Sequence, residues 1–171
     1  RNPLLINDIT NIFTREDVKF DIFKKLVKSG SRVKAILTKK TKDKPRSFFD
    51  NVDKWAKEQG ASGLAYFTIV KDQNLSAKGP VGKFFSEDSL KEIIKITNAE
   101  VGDSLFLACG KIEEVQSISS LARDKIAKEL NLIDEAKFAF CWIVDYPMFE
   151  KDIVTKKIKF SHNPFSMPQG D

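Results

Sequence analysis

The order of elements predicts a sheet covered by helices on one or both faces, with a separate β segment after it. Three observations carry this. Short β-rich runs alternate with segments whose apolar residues recur every three or four positions, each of those helices is apolar along one side only, and the chain changes character after Leu132. A strand and a one-sided helix each bury their apolar face by packing on one another, which gives layered architectures. Spacing alone leaves parallel and antiparallel sheets equally open.

Residues 4–13 (LLINDITNIF) read as a short helix or an entry segment. Phe20 to Phe23 and Arg32 to Thr38 (RVKAILT) alternate apolar and charged residues on either side of a Lys-Ser-Gly turn signal at 28–30, which predicts two strands. Between Ser47 and Gln59, Phe48, Val52, Trp55 and Ala56 recur at helical spacing and Gly60 follows as a stop, which predicts an amphipathic helix. Residues 64–71 (LAYFTIVK) predict a strand, followed by a long polar loop through Pro80. Ser86 precedes Glu87 and Asp88, an N-cap with acidic residues in the first turn, and Leu90, Ile93, Ile94 and Thr97 supply the buried face of a second helix. Gly102 and Asp103 turn the chain into SLFLAC, a run short enough for a buried strand. The third helix carries the stripe Val115, Ile118, Ala122, Ile126 and Leu130. After it, FAFCWIVDYPMFE (138–150) is the most apolar segment, joined by a charged hairpin to IKFSHNPFSMP. These last strands have no covering helix and are assigned to another structural unit.

Composition narrows the function. With 171 residues, 42% of them hydrophobic and 31% charged, the chain is globular, and its length suits one domain or one domain plus part of another. No apolar run approaches the ~18 residues of a membrane span. One histidine, His162, and two cysteines, Cys109 and Cys141, cannot between them build a four-cysteine, two-cysteine-two-histidine or multi-histidine zinc site. No metal site is expected. Both cysteines sit in apolar stretches and read as reduced core residues of a cytoplasmic protein. The chain opens on Arg1 with no signal segment, and is expected to be an excised piece of something longer.

Charge is unevenly placed. Residues 19–57 hold 13 Lys or Arg against four Asp, a balance of +9, whereas the whole chain carries +5. At the centre lies KKTKDKPR, with Lys39, Lys40, Lys42, Lys44 and Arg46. Such a loop can neutralise nucleic-acid phosphates, and it can equally be a solvated lysine-rich loop, since bidentate phosphate recognition favours arginine. KGPVGKF (78–84) lacks the spacing of a phosphate-binding loop, and no Gly-x-Gly-x-x-Gly occurs. Asp145 stands in an apolar run just before Pro147, where a carboxylate must be paired or hydrogen-bonded. His162 and Asn163 fall at the end of the last expected strand, braced by Pro164 and Phe165, a setting that presents polar side chains to a pocket.

Seven pieces in register, RNP at the start, GLAYF (63–67), GPVGKFF (79–85), VGDSLFL (101–107), LARDKIAKELNLID (121–134), WIVDYPMFE (142–150) and FSHNPFSMP (160–168), resemble bacterial-type aspartyl-tRNA synthetase over almost the whole chain. That resemblance implies an α+β GAD-type insertion domain at 1–133, a two-layer sandwich of a mixed or antiparallel sheet with helices. Residues 134–171 would be a short β segment of an incomplete class II catalytic domain. It implies a parent enzyme, an aspartate-tRNA ligase that is homodimeric and uses ATP, magnesium, L-aspartate and tRNA. The class II signatures Phe-Arg-Asp-Glu and Gly-x-Gly-x-Gly-x-Glu-Arg are missing, so no catalytic residue is expected in this piece, which should be inactive alone. By the resemblance His162 contacts L-aspartate, Asn163 stands where the family has a second histidine, and Asp145 helps shape the return strand. The alternative is a stand-alone RNA-binding module related to the same insert, such as one attached to a tRNA-dependent amidotransferase.

Overall fold

The strand that organises the molecule is β5 (Ser104–Gly110), whose run SLFLACG is apolar on both sides and buried along most of its length. A strand with that pattern needs cover on both faces, and the computed structural model supplies it. The structure describes residues 2–138, 140, 142, 144, 147–152 and 155–161. The chain divides into two units, Arg1–Ala136 and Lys137–Asp171.

In the first unit β1 (Ile6–Asp8), β2 (Arg32–Thr38), β3 (Ala65–Lys71), β4 (Leu75–Lys78) and β5 form one sheet in the order β1-β2-β5-β3-β4. Every neighbouring pair is antiparallel. The α+β class therefore holds and the antiparallel option is the one taken. The layering goes further than a two-layer sandwich, because helices lie on both faces. Leu105 and Leu107 point to one side, where they pack with Ile12, Phe13, Phe67, Leu90 and Ile93. This side is covered by a 3-10 turn (Thr10–Thr14), α1 (Asp21–Lys28) and α3 (Glu87–Thr97). Phe106 and Ala108 point to the other, against Phe49, Val52 and Ala56 of α2 (Arg46–Glu58) and Val115, Ala122 and Ile126 of α4 (Ile112–Glu129). The strand's period of two thus feeds two cores at once.

Three of the four helices stop in the same way. Ser31 N–H donates to Leu26 O and Gly30 N–H to Val27 O, with Gly30 at φ +95. The same pair of bonds closes α2 at Gly60 and α4 at Asn131. This is the Schellman arrangement, which needs a residue tolerant of the left-handed region. At the other end of α3, Ser86 Oγ accepts from Ser89 N–H at 3.0 Å, the cap the sequence predicts.

Three expectations need correction. Phe20 to Phe23 is no strand. From Asp21 the chain is helical, because Ile22, Phe23, Leu26 and Val27 continue at helical spacing beyond the four-residue window that suggests alternation, and the turn at 29–31 is a helix stop. The loop expected through Pro80 contains β4, which pairs with β3 in a hairpin. Its Leu-Ser-Ala-Lys sequence is half-exposed at the sheet edge, so it carries little apolar signal. Residues 4–13 resolve into β1 and the 3-10 turn.

Around α3 an ionic knot fixes the loop before α1. Arg15 grips both Asp17 oxygens at 2.8 and 3.0 Å, and Ser86 Oγ donates to Asp17 as well. These hydrogen bonds, Arg15's first, hold the Asp17 carboxyl from its ordinary 3.8 down to about 2. A folded value below the unfolded one means that the stability it contributes is present above about pH 4 and is lost as pH falls through 2. Asp17→Asn should therefore flatten the loss of stability between those limits, read by urea unfolding at several pH values; an unchanged acid limb contradicts this.

Near its start the first unit is tied to its last helix. Asn2 Nδ2 donates to Arg123 O at 3.1 Å and to Asp124 Oδ1 at 2.7 Å, and Leu4 shares a core with Ile126, Ala127 and the partly buried Ile133. No helix among the described residues is long and apolar enough to cross a membrane.

In the second unit β6 (Phe149–Lys151) pairs with β7 (Ile158–Phe160) as an antiparallel hairpin. Asp152 Oδ1 accepts from Thr155 N–H at 2.7 Å to set the turn, and Lys159 reaches Glu150 and Asp152. The strand expected from 138 begins only at Phe149 among the described residues. Phe138, Phe140 and Trp142 are each more than 90% exposed. A strand exists through its neighbours' backbone hydrogen bonds, and a lone two-stranded hairpin is marginal in water.

Candidate nucleic-acid interface

Where β2 ends, the sheet is sealed by hydroxyls. Thr38 and Thr41 share a hydrogen bond of 2.9 Å, Thr38 Oγ1 donates to Ser104 O, and Ser104 Oγ meets Thr68 Oγ1 at 2.8 Å. All but the last of these residues are buried. Above this layer runs the basic loop. Its anchor is Asp103, itself 1% exposed, which accepts from Lys40 N–H and from Glu100 N–H, both at 2.8 Å. Lys42 N–H donates to Gly102 O at 3.0 Å and Lys44 N–H to Thr41 O at 3.0 Å. Lys40 itself adopts φ +53, a left-handed conformation held by that Asp103 bond. The loop is therefore fixed through its backbone and the Thr41 hydroxyl, leaving its cationic side chains without acidic partners among the described residues, with two exceptions.

Lys39 is the first exception. Its ammonium donates to Asn98 O at 2.8 Å and pairs with Asp103 at 3.1 Å and Glu100 at 3.4 Å. Burial pulls its pKa down, but the hydrogen bond and charge of Asp103, with Glu100 behind it, outweigh this and leave it raised. Arg46 is the second, bound to Asp50 at 3.2 Å one helical turn on, where Asp50 also accepts from Tyr66 OH. Lys40, Lys42 and Lys44 are exposed, and none of them makes an ion pair among the described residues. Lys44 lies 6.0 Å from the Phe48 ring. The five cations of the loop thus fall into two that pair with carboxylates, Lys39 half-exposed and Arg46 on the open surface, and three that pair with none among the described residues.

The loop leads into α2, whose N-terminus has no side-chain cap and no acidic residue in its first turn. The other helices carry Asp21, Glu87 and Asp88, or Glu113 and Glu114 there. Unsatisfied amides give this end of α2 partial positive charge, of the same sign as the lysines before it.

Elsewhere the first unit has two open clefts. One, of about 500 Å³, lies between the 59–63 loop, the end of β5 and α4, with Gly63, Cys109, Glu114 and Leu121 in its walls. Another, of about 340 Å³, lies beside α1 and shares Gly63 and Cys109. Cys109 is free and half-buried, and burial pushes its thiol up to about 11, so it is protonated near neutrality and no activated nucleophile. Among the described residues no three His, Cys, Asp or Glu side chains come together to seat a metal ion. His162, Asn163, Asp145 and Cys141 lie outside the described residues.

Asp103, the anchor of this loop, is the residue that sequence reasoning passes over. Its only signal is the Gly-Asp turn before a buried strand, and its partner Lys40 is 63 positions away.

The GAD domain family model matches residues 23–118. An aspartate–tRNA(Asp/Asn) ligase of Pelagibacter ubique is 75% identical over 171 residues, which is 100% of this chain and 29% of that protein. The ligase of the same name from Acidiphilium cryptum is 48% identical over 170 residues, and that of Wolbachia pipientis wMel 49% over 171, each covering 99% of this chain and 28% of the relative. The chain therefore spans less than a third of the length of the relatives it matches.

Proposed function

The chain belongs to the GAD domain family, and on that premise we propose that it is one segment of an aspartate–tRNA ligase. Residues 1–133 are the inserted GAD domain in this reading, and 134–171 a part of the class II catalytic domain. The observation that carries it is identity of 75% over all 171 residues, well beyond the 23–118 of the GAD match, to a ligase of that name. A stand-alone RNA-binding module would not need residues 134–171 to follow a synthetase so closely. The exposed Phe138, Phe140 and Trp142 fit the same reading, since a segment so apolar belongs inside a larger sheet.

The parent joins L-aspartate to tRNA in two steps. The aspartate α-carboxylate attacks the α-phosphate of ATP, giving aspartyl-adenylate and pyrophosphate. A terminal ribose hydroxyl of tRNA then attacks the activated carbonyl and AMP leaves. The relatives' names support a parent that serves both tRNA-Asp and tRNA-Asn. We place it in the cytoplasm, as a homodimer. Magnesium supplies charge neutralisation on ATP in such chemistry; among the described residues no three His, Cys, Asp or Glu side chains gather to hold it.

In this proposal His162 donates to the side-chain carboxylate of aspartate, an interaction that the uncharged amide of asparagine cannot match. Asn163 keeps a donor beside it without a charge, and Asp145 shapes the return strand. Substituting His162→Ala in the full-length protein should raise the aspartate KM in pyrophosphate exchange by about ten- to a hundredfold, the loss of one charge-assisted hydrogen bond. The ATP KM should stay unchanged. The 171-residue chain alone should give no exchange. An unaltered aspartate KM removes His162 from the pocket, and a full-length protein without aspartate-dependent exchange removes the ligase reading.

A further inference from the structure

We propose that Lys40, Lys42 and Lys44, together with the uncapped start of α2, form a sequence-independent contact for the phosphate backbone of tRNA. The inference rests on the ligase reading above and assigns its substrate a second place of attachment. Residues 19–57 carry +9 in a chain of +5, so the remainder is net acidic and the attraction for a polyanion is concentrated here. Within that region the structure separates cations that pair with carboxylates, Lys39 with Asp103 and Glu100 and Arg46 with Asp50, from three exposed ones with no acidic partner among the described residues. The backbone beneath the three is pinned by Asp103, Gly102 and Thr41, so little loop ordering opposes binding. α2 begins beside them with no side-chain cap hydrogen bond and no acidic residue in its first turn.

The chemistry favours RNA over a lipid surface. Residues 39–47 expose no large apolar side chain to enter a bilayer, and three charges alone bind membranes weakly. Lysine is a point charge without arginine's bidentate geometry, so the contact positions a backbone and reads no base. tRNA-Asp and tRNA-Asn are treated alike at this loop.

The test is tRNA affinity against salt, measured by fluorescence anisotropy with transcripts of tRNA-Asp, tRNA-Asn and an unrelated tRNA. The triple variant Lys40→Gln, Lys42→Gln, Lys44→Gln should lower the slope of log K against log salt by about 2 for all three RNAs. The same three positions changed to arginine should keep the wild-type slope, as should Lys39→Gln and a matched surface triple at Lys71, Lys78 and Lys95. Since no lysine ammonium of the three holds the fold, the urea midpoint of the glutamine triple should match wild type. A wild-type slope in the glutamine triple overturns the proposal, as does an equal loss in the matched surface triple. Binding to phosphatidylglycerol vesicles that the glutamine triple abolishes, with tRNA binding untouched, overturns it in favour of lipid. In the full-length protein the glutamine triple should raise the tRNA KM and leave pyrophosphate exchange intact. Exchange without any change in tRNA KM sinks this contact alone, whereas absence of exchange in the unsubstituted protein sinks the ligase reading and leaves the contact to be judged on binding.

Discussion

Phe106→Ala is expected to destabilise the first unit by about 3–5 kcal/mol, the usual range for removing a fully buried phenyl ring. Phe106 is 0% exposed on the central strand, between Ile36 of β2 and Tyr66 of β3 in register. Its ring sits 5.5 Å from Phe49 and 6.1 Å from Phe48, while Phe49 stacks on Tyr66 at 4.6 Å. The neighbours belong to a strand-held sheet and to a helix packed against α4, so they have little freedom to collapse into the void. Phe106→Leu keeps much of the volume and should lose clearly less. Both are read from urea unfolding midpoints at constant m. A loss under about 1 kcal/mol for the alanine variant would mean the α2–α4 side repacks freely, contrary to the contacts described.

Asp103→Ala should cost about 2–4 kcal/mol. The carboxylate satisfies two backbone N–H groups and meets an ammonium. Removing it leaves donors without a partner, which costs more than the net value of the bonds. The Lys39 partner is half-exposed and screened by water, so the ion pair contributes the smaller share. Asp103→Asn retains one acceptor and should fall between. Hydrogen exchange of the Lys40 and Glu100 amides should accelerate in the alanine variant; protection equal to wild type shows that some other group holds this loop.

How much the sequence discloses depends on how local each cause is. Ser86 with Glu87 and Asp88, Gly60 after Gln59, and the apolar run of β5 act within a few residues of themselves, and those elements stand where the pattern places them. α1 is misread because alternation over four residues is indistinguishable from the first turn of an amphipathic helix until Leu26 and Val27 are counted. β4 escapes because a short edge strand is stabilised by its partner's backbone and not by its own side chains. Charge identifies the basic loop, but not which cations are engaged, since Asp103 and Glu100 reach Lys39 from a turn remote in sequence. The antiparallel order, likewise, is a property of pairing between β2, β5 and β3 and not of any one of them.

Asn2 bonds to Arg123 and Asp124, and Leu4 lies in the same apolar cluster as Ile126, Ala127 and Ile133, so the first described residues are fastened to the last helix of the first unit. If the first unit is an insert, as proposed above, that fastening holds its two ends together without help from a host chain.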